Sequence, residues 1–170
     1  MYPDAYIQYL AHFHGDRDYF ECHEILEEYW KGTNEGKHSV WVGFILLAVS
    51  NYHFRRGNKE GSGRTLRKAI TIFENQIQNQ SFGIDMEYLI KLSKERLISI
   101  QLDEVYSSFD LPITDMTLLA KCQTICHLKG FHWGQNSNLD DLNLIHRHLT
   151  RERRGIILER QNAIAKRNAK

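Results

Sequence analysis

Residues 39–56 include Trp41, Val42, Phe44, Ile45, Leu46, Leu47 and Val49, so as a helix the segment is apolar around most of its circumference. A helix that is hydrophobic all round must be buried all round, which places it at the centre of a helical bundle. A membrane span would need about 20 consecutive apolar residues. The longest apolar run here, near 40–49, is too short, and no membrane association is expected. Gly43, Leu47, Ser50 and Phe54 share one face, whose small members allow another backbone to approach closely. Val42, Leu46, Val49 and His53 share another, which predicts an inward-facing His53 in the last turn, where its charge also suits the helix dipole. Arg55, Arg56, Gly57 and Asn58 then close the helix.

The preceding stretch, 20–31, reads FECHEILEEYWK. Helical spacing puts Tyr19, Cys22, Leu26 and Trp30 on one buried face. His23 falls at the edge of that face, Glu27 borders it one turn later, and Glu24 sits between. Glu21 and Glu28 point away. Asp16 is the expected N-cap and Gly32 the end of this helix. The short polar connection 33–37 returns the chain, so 20–31 is expected to pack antiparallel against 39–56.

Helical periodicity continues elsewhere: 4–14, 59–78, 85–105, 115–128, and a last helix that begins between 142 and 150 and runs toward 167. Only 2 prolines interrupt the chain. The expected fold is therefore all-α, a compact bundle of six or seven helices around an antiparallel central pair, in a single domain over 1–170. A length of 170 residues, with 42% hydrophobic and 25% charged residues, suits one globular core. The 3 cysteines form no disulfide framework, and the N-terminus lacks a basic region followed by an apolar run. Both observations predict a cytoplasmic protein.

Two inward histidines and a carboxylate define the candidate site. His23, Glu27 and His53 are expected to converge between the two central helices, with Glu24 nearby. Such a set is either a structural polar cluster or a divalent-metal site for zinc, iron or manganese. In the second case Glu24 is the candidate general base of a metal-assisted hydrolase. Cys122, Cys126, His127 and His132 do not have a structural zinc spacing, and the two cysteines read as small core residues.

The motifs 20–31 and 52–58, FECHEILEEYWK and YHFRRGN, resemble those of an uncharacterised helical family, domain of unknown function 309. The resemblance covers about 17–78. The segments LPITD at 111–115 and IHRHLTRERRGIILER at 145–160 resemble the extension of Bacillus-type members, which makes 110–170 a C-terminal helical extension. The resemblance implies a helical bundle whose motif pair joins the first two core helices. Its motif residues fall here on His23, Glu24, Glu27, Trp30, His53, Arg55, Arg56 and Gly57. It implies no activity. Many relatives carry glutamine at the positions of Val42 and Leu46, so the core here is expected to be drier.

Charge is segregated although the total is only +1. Segment 16–28 holds six acidic residues and one arginine; 146–170 holds eight cations against Glu152 and Glu159. This asymmetry steers association more than it stabilises a fold. The expected function is a non-enzymatic binding or assembly module, its basic tail meeting either a second copy or nucleic acid. The metal-dependent hydrolase is the alternative.

Overall fold

The structure is a computed structural model that describes residues 2–76 and 82–150. The chain divides into two compact units, Met1–Ser137 and Asn138–Lys170. The first holds α1 (Asp4–His14), α2 (Tyr19–Lys31), α3 (Val40–Arg55), α4 (Lys59–Gln76), α5 (Met86–Gln101) and α6 (Met116–Lys129). The second holds α7 (Leu142–Ile145), capped by the Asp141 carboxylate. The fold is all-α; no strand forms among the described residues, where extended backbone makes one isolated antiparallel bridge, Ile84 to Ile113. The expected helix over 142–167 lies mostly outside the described residues, as does the end of the helix expected over 59–78.

Side-chain caps set the helix starts. Ser39 accepts from Trp41 N, Asp85 from Tyr88 N, and Asp115 from both Thr117 N and Leu118 N. Asp18, not the expected Asp16, caps α2 by accepting from Glu21 N. The cause is Arg17, whose φ of +58° turns the chain sharply after α1. Asp16 instead accepts from Asp18 N and meets His12 Nδ1 at 3.0 Å. At the other end of the chain's helical core, Gly130 stops α6 in the left-handed region.

Helix α3 packs against α2 and α4, α1 packs against α2 and α6, and α5 packs on α4. The small face of α3 does what its composition predicts. Gly43 lies against Phe73, and the Ser50 and Ser62 hydroxyls meet at 3.0 Å, each also donating to the other residue's carbonyl. Tyr6, Tyr9, Phe13, Phe44 and Phe73 are fully buried, and the Tyr9 hydroxyl donates to Phe44 O at 2.8 Å. The other face of α3 departs from expectation: Val42, Leu46, Val49 and His53 are half-buried, because no helix of this unit covers that stripe completely. A glutamine at Val42 or Leu46 would therefore lie on a partly exposed strip, not in the core.

Candidate functional site

Helix α2 presents His23, Glu24 and Glu27 together. His23 Nδ1 lies 3.1 Å from Glu24 Oε1, and His23 Nε2 lies 3.8 Å from Glu27 Oε2. One ligand atom from each residue lies within 4.8 Å of the other two. All three are half-buried, and Lys31 Nζ, one turn on, pairs with Glu27 at 3.1 Å. The i, i+1, i+4 spacing brings these groups together because α2 continues without a break through them.

The trio differs from the expected one. His53 is not among its members; Glu24 is. His53 sits at the α3–α4 turn, where its Nδ1 is 3.2 Å from Asn58 Nδ2 and its carbonyl accepts from Asn58 N. Asn58 Oδ1 in turn accepts from Gly61 N in the first turn of α4. A position in the last turn of α3 makes His53 part of that turn, even though it shares a stripe with Val42.

The remaining motif residues have structural work. Trp30 Nε1 donates to the carbonyls of Glu35 and Gly36, holding the α2–α3 loop; the ring is half-buried, not fully buried as its helical face predicts. Arg56 lies over the Tyr52 ring at 5.2 Å, and Tyr52 meets Phe20 of α2. Gly57 adopts φ +76°, a conformation that suits glycine. Arg55 is buried, lies over the Tyr19 ring at 4.9 Å, and donates to Arg17 O and Ser137 Oγ, both at 2.7 Å.

Arg55 leads to a buried polar hub that sequence reasoning missed. Arg17, only 1% exposed, donates through Nη1 to Phe13 O and Phe109 O, through Nε to Gln135 O, and through Nη2 to Asp110. His14 stacks on Trp133 with ring centroids 4.4 Å apart. Its Nδ1 faces Asp110 at 3.4 Å, and its Nε2 accepts from Leu111 N. Burial holds the His14 pKa below its ordinary value despite that carboxylate. The hydrogen bond from His14, followed by those from Arg17, lowers Asp110 to about 2. Arg96 adds a second cation, over the rings of Phe54, Tyr106 and Phe109. These groups bind the 106–111 and 133–137 segments to the α1–α2 turn. The visible signal was the run Asp16–Arg17–Asp18, which in isolation looks like a solvated charge cluster.

Cys122 and Cys126 are buried, and each thiol points at a carbonyl of α1, Ile7 O and Ala11 O respectively. His127 and His132 are exposed and join no metal-capable group among the described residues.

The family described as a domain of unknown function, DUF309, matches residues 6–65, from the first turn of α1 into α4. The match starts and ends earlier than the 17–78 stretch that carries the motifs. An uncharacterised protein of Bacillus subtilis (strain 168), YpuF, is 43% identical over 169 residues, covering 98% of this chain and 97% of its own. That alignment includes the C-terminal extension. No solved structure matches the chain. With a family match spanning the motif-bearing helices and a relative similar along nearly its whole length, the chain belongs to the DUF309 family.

Proposed function

We propose that this protein is a non-enzymatic assembly module of the cytoplasm, in which the basic 146–170 segment of one copy docks on a second copy. The observation that carries the reading is the C-terminal end of α5. Ile98 and Leu102, one turn apart, are 54% and 68% exposed, and Val105 beyond them is 86% exposed. Exposed Glu95 precedes Ile98 on the same helical stripe, and exposed Asp103, which pairs with Lys59, and Glu104 follow Leu102. The docking segment is complementary, with six arginines and two lysines interspersed with Ile156, Ile157 and Ile164. The acidic stretch 16–28 is a weaker receptor than its charge implies. Asp18 is buried as a cap, Asp16 meets His12, and Glu24 and Glu27 are committed to the His23 cluster.

Light scattering on the full chain, on a 1–150 truncation and on an Ile98→Lys/Leu102→Lys variant tests this. Full-length protein is expected to be a dimer, and the other two monomers. A full-length monomer overturns assembly. A gel shift with RNA or DNA that only the truncation loses assigns the tail to nucleic acid instead.

A second reading has one observation behind it, the His23, Glu24 and Glu27 trio. One imidazole and two carboxylates suit zinc, iron or manganese, leaving coordination positions for water. The hydrolase version is weaker than sequence alone implies, because Glu24 belongs to the ligand set and no longer stands apart as a base. Elemental analysis of tag-free protein, with melting curves in added zinc or manganese, decides it. A bound ion, or a metal-dependent rise in melting temperature abolished by Glu27→Gln, supports the site; neither effect in the wild-type chain removes it.

A further inference from the structure

The half-buried strip of α3 opens on a cleft shared with α4. Val42, Leu46 and Ile72 form its apolar wall, and Lys37, His38, Lys68 and Thr71 complete the lining. Its volume is about 490 Å³, within the range of about 300–1,000 Å³ usual for small-ligand sites. Lys37 and His38 lie just before the Ser39 cap of α3. Gln76 Nε2 donates to His38 O at 3.2 Å, which ties that mouth of the cleft to the last turn of α4. Lys68 stands one helical turn from Ile72 along the α4 wall. Lys37, His38 and Lys68 are all exposed, and the two lysines make no ion pair among the described residues.

Among the described residues the lining thus has aliphatic side chains, two lysines, a histidine and no carboxylate. That combination selects an anionic group joined to an aliphatic body, since each part meets its complement. A protein partner fits poorly. Three aliphatic residues over two turns supply little of the roughly 800 Å² per side that a stable protein interface buries. We propose that this cleft binds a free fatty carboxylate, its carboxylate at Lys68 and its alkyl chain along Leu46, Ile72 and Val42 toward the mouth at His38. The inference is independent of the assembly surface on α5.

Decanoate, kept below its micellar concentration, is the probe, titrated into the full chain and followed by amide NMR. Saturable shifts are expected at residues 37–46 and 68–72. Leu46→Gln, which exchanges an apolar side chain for an amide of similar size at a half-buried site, is expected to weaken binding about tenfold. Lys68→Glu should weaken it at least as much through charge reversal, and an unchanged melting temperature for either variant shows that the fold survives. Absence of saturable shifts, shifts confined to other residues, equal binding of decanol or decyltrimethylammonium, or unaltered binding by both variants each overturns the proposal.

Discussion

The Arg17 guanidinium lies 2.7 Å from the Asp110 carboxylate, which comes 93 residues later in the chain. The same guanidinium donates to three carbonyls, so one side chain joins α1, the 106–111 segment and the 133–137 segment. The left-handed backbone of Arg17 persists because these bonds over-determine it. Arg17→Met should cost about 3 kcal/mol or more, because three carbonyls lose a buried donor. Arg17→Lys should recover little, since an ammonium cannot reproduce the planar fork. Urea unfolding measures both, and a loss below about 0.5 kcal/mol, the usual range for surface sites, contradicts this account.

Acid should weaken the same junction in two steps. His14 has a folded pKa below its ordinary 6.5 because it is buried. The unfolded chain therefore binds a proton first, and stability falls as pH drops below 6.5. Asp110 is lowered from 3.8 to about 2, so its contribution is present above 3.8 and is lost as pH falls toward 2. That contribution is about 1 kcal/mol, well below full conversion of the shift, because 64% of the Asp110 side chain faces water. Unfolding free energies measured from pH 8 to 2 should show both windows. His14→Gln should remove the upper one and Asp110→Asn the lower one.

Most of the fold was legible because helices are local. The all-round apolarity of 39–56, the helix starts at 85 and 115, and the small face of Gly43, Leu47 and Ser50 each depend on neighbours a few residues away. Periodicity tells which residues share a face, but not whether another element covers it. Val42, Leu46 and His53 therefore read as core although their stripe is only half covered. The Arg17 hub was illegible for a related reason. Three of its four partners are backbone carbonyls, up to 118 residues away, and a carbonyl leaves no mark on the sequence. In the His23 cluster, the partner within α2 could be read from spacing, whereas the expected partner from α3 depended on a face that the α3–α4 turn claims instead.

Gly43 should tolerate no side chain. A Cβ there would lie 2.6 Å from Phe73 Cε1 and 3.2 Å from Ile72 Cγ2. Phe73 is fully buried and also packs on Phe44, so its ring has little room to move. Gly43→Ala would ordinarily favour a helix, but overpacking here should reverse the sign, costing about 1–3 kcal/mol. A denaturation midpoint equal to or above that of the wild type would mean that α3 and α4 can separate without loss.

The three cysteines should be silent in the native protein. Cys22, Cys122 and Cys126 are buried and unpaired. Burial raises all three thiol pKa values, that of Cys122 to about 12. The thiolate is the reactive form, so at pH 8 both access and ionisation oppose modification. A colorimetric thiol reagent should therefore find almost no reactive thiol in native protein and all 3 after unfolding in guanidinium. The Arg17→Met variant supplies the internal check. Cys22 donates to Tyr9 O on α1 and shares the first turns of α2 with the Asp18 cap, so loosening the α1–α2 turn should expose it first. Faster labelling of Cys22 than of Cys122 in that variant, read by peptide mass, is the expected result. Equal labelling of the two would mean that the hub and the α1–α6 contact open as one unit.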